Sequence, residues 1–352
     1  MNTDGCASIP QKGMKANRSG ADLEMDEGHP SGIFPLSSPH LTLYFRGRFA
    51  IVGALRLLGI SDRDTLLLPS FICNTVTDVL DFFRYRYRFY PVTKKVAPDM
   101  EILEGRLTPE AKVLLFVNYF GFPTDCTSLL GLCRDRGVKV IEDNAHGFLG
   151  KDRCGDHLGS RGDIGIFSFP KTVNVPDGGG MVVNRPEILE EAATSAPASF
   201  ILERQVSRGR DLLGLEQEAL NRSRRRHASE RQEGREEPWD ISPITCRLLG
   251  KIEPAAVLDF RGRSYLEALV ICEEEGFKPL YDGLEEGVCP YLLPIVAPPG
   301  MSRDRVTRRL EKFGYQVSHW PDLPKNLDGR PGDSALWLRE NLMAVYLRPA
   351  MI

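Results

Sequence analysis

Lys171 stands in the segment SFPKTVNVPDGGG, three residues after Ser168 and seven before the run Gly178–Gly180. A lysine in a glycine-rich loop between two apolar runs, IGIFS and MVV, has a definite chemical use. Its amine can condense with an aldehyde when the surroundings disfavour the ammonium form, and the glycines let backbone come close to a bound ring. Taken alone, the segment also reads as a surface lysine beside a tight turn. Upstream, the apolar run VKVI leads into EDNAHG and places Glu142 and Asp143 at the carboxyl end of a predicted parallel strand. Open α/β sheets bind their ligands at that edge, although an aspartate there also serves as a helix cap.

These residues need a frame to hold them. From Gly47 onward, Phe49, Ala50, Val52, Ala54, Leu55, Leu57 and Leu58 recur at helical spacing, with Gly59 as a stop. Short apolar runs then alternate with amphipathic stretches: Thr65–Leu68, a helix near 75–83, Val113–Val117, a helix near 126–136, Val138–Ile141, Ile164–Ser168 and Met181–Val183. That alternation predicts a parallel sheet covered by helices. After Pro254 come a helix, the strand-like YLLPIV, a helix near 303–313 and YQVSHW, which predict a smaller α/β unit. The polar leader over residues 1–35 is expected to be a mobile tail. The charged stretch 190–239 is expected to be a solvated helix and loop, because acids follow its basic run within a few residues.

Composition narrows the partners. With 352 residues, 42% of them hydrophobic, the chain can bury one large core and build a second domain. A net charge of -3 lacks the basic excess of a nucleic-acid or anionic-membrane binder, so small molecules are the expected ligands. The eight cysteines are scattered without a C-x-x-C pair, which argues against a metal site. No secretory leader and no run of the roughly 20 apolar residues needed to span a membrane is recognisable, and the chain is read as cytoplasmic with reduced thiols.

Several linked motifs occur in one order: EDNAH, then GDIGIFSF, then the lysine, then DGGGMVVN. This resembles the DegT-type (DegT/DnrJ/EryC/StrS) sugar aminotransferases, pyridoxal-phosphate (PLP) enzymes of fold type I. The resemblance is good over about 45–183 and faint beyond. It implies an aspartate-aminotransferase-like fold: a three-layer α/β/α large PLP-binding domain over 36–250 and a smaller C-terminal α/β domain over 251–352. The activity it implies moves an amino group from an amino acid such as glutamate to a keto sugar, nucleotide-linked, in polysaccharide or secondary-metabolite synthesis. A homodimer is implied as well. The competing functions are a PLP enzyme acting on a non-sugar keto substrate, a dehydratase-like elimination, and a non-catalytic homologue. Dehydratase relatives often lack the Schiff-base lysine, and Lys171 is present.

The resemblance also implies roles. Lys171 carries pyridoxal 5'-phosphate as a Schiff base and moves the substrate proton, while Asp143 keeps the pyridine nitrogen protonated, which makes the ring an electron sink. Ser168 and the backbone N–H groups of Gly47 and Arg48, at a helix N-terminus, hold the phosphate. His146 stands where the family usually has Gln and would donate to the ring's phenolic oxygen; a core-packing histidine is the other reading. The chain departs from the family in a shortened Ser168–Lys171 spacing and in Arg48, which replaces a small hydroxyl residue and suits a phosphate or a carboxylate. Cys73 replaces the stacking aromatic, so Phe71 or another residue would provide that face. The Asn- and Arg-containing substrate loop is not recognisable near 239–247.

Overall fold

The computed structural model describes residues 32–195, 241–319, 322–327, 333–348 and 350. Most of the expected tail lies outside the described residues, as does the charged stretch beyond Ser195. Seven strands form the larger sheet: β1 (Leu41–Tyr44), β2 (Thr65–Pro69), β3 (Arg86–Tyr90), β4 (Ala111–Val117), β5 (Lys139–Asn144), β6 (Ile164–Ser168) and β7 (Gly179–Val183), in the order β1-β7-β6-β5-β4-β2-β3. The inner strands are apolar runs buried on both faces, as parallel strands between helical layers must be.

From β3 to β6 all pairings are parallel, but β7 runs antiparallel to both β6 and β1. The sheet is therefore mixed, which corrects the expectation of a parallel one. Only ten residues separate Ser168 from Gly179, too few for the dozen or so that a crossover to a parallel neighbour requires. The chain must fold straight back, and that return carries Lys171. Strand β3, with the sequence RYRFY, has no apolar run to announce it because it is an edge strand with its arginines exposed.

Helix α1 (Gly47–Leu57) buries Phe49, Ala50, Ile51, Val52, Ala54 and Leu55 against the sheet. It stops where Gly59 takes φ 65° and the N–H of Ile60 reaches back to the Leu55 carbonyl at 3.0 Å. Helices α2 (Asn74–Phe82), α3 (Met100–Glu104), α4 (Thr127–Asp135) and α5 (Glu187–Ser195) follow their strands. The chain resumes with α6 (Pro243–Leu249), capped by Ser242, whose hydroxyl accepts from the Thr245 N–H, and α7 (Pro254–Glu274).

The second sheet is antiparallel, built from β8 (Lys278–Pro279), β9 (Leu292–Val296), β10 (Gln316–Ser318) and β11 (Leu342–Tyr346) in the order β10-β11-β9-β8. Helices α8 (Asp304–Lys312) and α9 (Ala335–Asn341) complete this unit. The long α7 packs on β9 and α8, so the second unit shares one contiguous core with the first. Among the described residues no helix is long and apolar enough to cross a membrane.

Candidate active site

The site is laid out along the carboxyl ends of β4, β5 and β6, where Val117 pairs with Asp143 and Asp143 with Ile166. Successive side chains of a strand point to opposite faces, and β5 uses this to separate two adjacent carboxylates. Glu142, fully buried, accepts from the Arg161 Nε at 2.9 Å, the Arg161 and Gly162 N–H groups at 2.7 and 3.1 Å, and the Asn118 Nδ2 at 2.8 Å. The Arg161 guanidinium also donates to the Asn118 Oδ1 at 2.7 Å and to the Thr124 carbonyl at 3.0 Å. This is a closed structural network on one side of the strand.

Asp143 belongs to the other side. Its Oδ1 accepts the Ala145 N–H at 2.9 Å. No helix follows, since residues 145 and 146 form a turn, so the bond closes an Asx turn rather than a helix cap. Burial raises the carboxyl's pKa; the nearby Lys171 charge and the Ala145 N–H oppose that rise. Lys171, half-buried, ends a single 3-10 turn, Phe169–Lys171, directly after β6. Burial pulls its pKa below the ordinary ammonium value, against the opposing influence of Asp143 and Cys73. An amine so placed is a better nucleophile near neutrality than a surface lysine.

His146 is 2% exposed and lies between the rings of Phe120 and Tyr291, with centroids at 6.2 and 4.9 Å. Its Nδ1 accepts the Phe120 N–H at 3.1 Å, which places the ring proton of the neutral form on Nε2. Burial, then the Lys171 charge, holds its pKa well below the usual imidazole value. Phe120 makes this bond from a left-handed backbone, φ 61°, that a bulky residue rarely adopts. The Tyr291 ring faces the Lys171 Nζ at 5.8 Å, so lysine, tyrosine and histidine form one cluster.

The first turn of α1 meets the end of β6. A Cβ added at Gly47 would stand 3.0 Å from the Phe167 carbonyl oxygen and 3.3 Å from the Ser168 Cβ. One added at Gly179 would collide with the Arg46 carbonyl carbon at 2.4 Å and the Gly47 nitrogen at 2.5 Å. Bare backbone thus surrounds a helix N-terminus whose first N–H groups have no intrahelical acceptor, with Ser168 beside it. That arrangement suits an anion. The Arg48 guanidinium lies 5.4 Å from the Phe49 ring centroid and acts on Asp78 of α2.

The residues therefore fit pyridoxal 5'-phosphate: a glycine-lined helix N-terminus for a phosphate, a buried carboxylate, a neutral imidazole donor and an amine biased toward its free form. Cys73, the N-cap residue of α2, is half-buried and in electrostatic reach of Lys171, Tyr291 and Tyr346. Phe71, weighed as a ring-stacking face, is instead fully enclosed in the core against Tyr119. Tyr291 and Arg261, whose guanidinium reaches the Lys171 carbonyl, were not anticipated. They lie 120 and 90 residues from the lysine, and nothing local marks them. Among the described residues no group of three or more His, Cys, Asp or Glu side chains could hold a metal ion.

The mixed sheet, with a lysine on the return between β6 and β7 and a buried carboxylate near the end of β5, has the α/β fold of solved aminotransferase structures. The aminotransferase TlmJ from Streptoalloteichus hindustanus matches with a TM-score of 0.62 at 18% identity, over 88% of this chain and 80% of that one. Helicobacter pylori PseC, an aminotransferase involved in the biosynthesis of pseudoaminic acid, matches with 0.62 at 16%, over 88% and 81%. Residues 46–207 match the sequence model of the DegT/DnrJ/EryC1/StrS aminotransferase family. Gly47, Asp143, His146 and Lys171 all lie within that matched segment. Among curated relatives, the UDP-N-acetyl-3-dehydro-alpha-D-glucosamine 3-aminotransferase of Acidithiobacillus ferrooxidans is 32% identical over 147 residues, 41% of this chain and 40% of the relative. The chain thus spans about two fifths of that relative's length.

Proposed function

We propose that this chain is a pyridoxal 5'-phosphate-dependent aminotransferase that moves an amino group from an amino acid, glutamate in the first instance, to a nucleotide-linked keto sugar. One observation carries this reading: Lys171, its amine biased toward the free form, lies within the field of the buried Asp143 and 5.8 Å from the Tyr291 ring that stacks on a neutral His146. The sugar acceptor is supported by the relative named as acting on a UDP-linked 3-dehydro sugar.

When bound, the cofactor supplies an electron sink for carbon–hydrogen bond cleavage. The chain's own residues do the rest. Asp143 offers a carboxylate to a ring nitrogen and keeps a proton there, and His146 offers its Nε2–H to a neighbouring oxygen. The first N–H groups of α1 at Gly47 and Arg48, with the Ser168 hydroxyl, hold a phosphate. Lys171 would hold the cofactor through its aldehyde carbon, and its Nζ would take up and return the substrate proton. As part of the same proposal, the enzyme works as a cytoplasmic homodimer, and a small domain over residues 251–352 borders the cleft of a large domain over 36–250.

The test is borohydride reduction in the presence of the cofactor, followed by peptide mass spectrometry. The reduced label is expected on the peptide containing Lys171, and Lys171→Ala is expected to lose both the label and amino transfer. Label on a different lysine would overturn the assignment.

A further inference from the structure

Among the described residues Arg261 has no carboxylate partner. It projects from α7, is 2% exposed, and among the described residues meets only main-chain carbonyls. Its Nε donates to Pro290 at 2.9 Å, one terminal nitrogen to Arg348 at 3.2 Å, and the other to both Tyr291 at 2.6 Å and Lys171 at 3.4 Å. Desolvation pulls its pKa below the ordinary guanidinium value. Burying a charge this way is costly unless dipoles converge on it, and here four carbonyls from three separate segments do. A planar fork of five donors can hold them at once, which a lysine ammonium cannot.

The acceptors are informative. Lys171 belongs to a turn of only three residues, which by itself fixes the departure of its side chain weakly. Just beyond it, Val173 bridges to Ala350 and the Asn174 N–H donates to the Ala350 carbonyl at 3.3 Å. The lysine turn is thus fastened to the segment after β11 as well as to α7. The nitrogen that takes the Lys171 carbonyl also takes that of Tyr291, whose ring faces the lysine amine and stacks on His146.

We propose that Arg261 is a positioning residue for Lys171: one guanidinium nitrogen ties the carbonyls of Lys171 and Tyr291 together and so sets where the lysine amine stands against the Tyr291 ring and His146. The inference rests on the reading of Lys171 as the cofactor-bearing lysine. In this role Arg261 acts through the backbone of Lys171, whose carbonyl it holds.

Two ligands separate positioning from general support. Pyridoxal 5'-phosphate needs both the phosphate cradle and the lysine, whereas pyridoxamine 5'-phosphate has no aldehyde and reports on the cradle and ring pocket alone. In Arg261→Met, the rate at which pyridoxal phosphate is captured on Lys171, followed by borohydride trapping and mass spectrometry, is expected to fall by roughly tenfold or more. The affinity for pyridoxamine phosphate, read by fluorescence quenching, is expected to stay within about threefold, which is under 1 kcal/mol. Arg261→Lys, which keeps the charge but not the fork, is expected to recover only part of the capture rate. If Arg261→Met does not fold, the same pair of measurements on Arg261→Lys decides the matter. Equal loss of both ligands, or capture at the unaltered rate, would overturn the positioning role and leave the Lys171 assignment standing. No capture at Lys171 in the unaltered protein would overturn both.

Discussion

Glu142 and Asp143 are consecutive residues of one strand whose carboxylates do unrelated work: the first is locked to Arg161 on one side of the sheet, the second shares the field of Lys171 on the other. Removing either therefore has a different signature. Glu142→Ala leaves a nearly buried guanidinium with only the longer Asp152 carboxylate contact at 3.6 Å, and losing one partner of a buried pair costs about 3–5 kcal/mol. The variant is expected to unfold at clearly lower denaturant concentration while the folded fraction keeps its affinity for the cofactor. Equilibrium urea unfolding checks the first half and cofactor titration the second.

Asp143→Asn is expected to do the reverse. The amide keeps the shape and leaves no carboxylate to desolvate, so stability should hold or rise. A neutral amide supports a protonated ring nitrogen poorly, so amino transfer should fall by orders of magnitude with the cofactor still bound. Single-turnover kinetics beside thermal unfolding would show the split, and wild-type turnover would remove Asp143 from the mechanism.

His146 predicts a pH dependence. Its folded-state pKa lies well below the ordinary 6.5, so on acidification the unfolded chain takes up a proton that the folded chain refuses. Stability is therefore full above about pH 6.5 and lost as pH falls below it, by at most about 1.4 kcal/mol per pH unit for this one group. His146→Gln, with no ring to protonate, is expected to show a shallower loss between roughly pH 6.5 and 5. His157 and His319 are also held low by burial but remain in both proteins, so the difference isolates His146. Parallel slopes in urea titrations across that range would refute the neutral buried imidazole.

Gly47→Ala tests the cradle. Its methyl group would press on the Phe167 carbonyl at 3.0 Å and the Ser168 Cβ at 3.3 Å, where something must yield by a few tenths of an ångström. Affinity for pyridoxal 5'-phosphate and for pyridoxamine 5'-phosphate is expected to drop together, by roughly tenfold, as the donors of the helix terminus shift. Unchanged affinity for both ligands would show that the phosphate is held elsewhere.

The proposed dimer has a simple check. Light scattering under assay conditions is expected to give about twice the chain mass of 39.4 kDa, a closed two-fold pair being the commonest soluble assembly. A fully active species at the single-chain mass would exclude an active site shared between subunits.

Much of this arrangement was legible in the order of the residues. Buried parallel strands announce themselves as apolar runs, so β2, β4, β5 and β6 were readable, and the carboxyl end of β5 pointed to Asp143. Strand β3 was not, because an edge strand alternates arginine with aromatic residues and forms no such run. The direction of β7 was available in principle from the ten residues between Ser168 and Gly179. Partnerships were beyond reach: Glu142 with Arg161, Lys171 with Arg261, and His146 with Tyr291 join residues 19, 90 and 145 positions apart. Periodicity reports which face a side chain takes, and contacts of that range leave no local mark.

The fastening of the lysine turn to residues 348 and 350 also orders events on the ribosome. Lys171 is polymerised 179 residues before Ala350, which at about 5–20 residues per second is on the order of 10–35 s. Throughout that interval the nascent lysine lacks the bridge at Val173 and the clamp that Arg261 spreads over four carbonyls. On the proposed reading of Lys171, cofactor capture in its final geometry would therefore follow synthesis of the segment around Ala350.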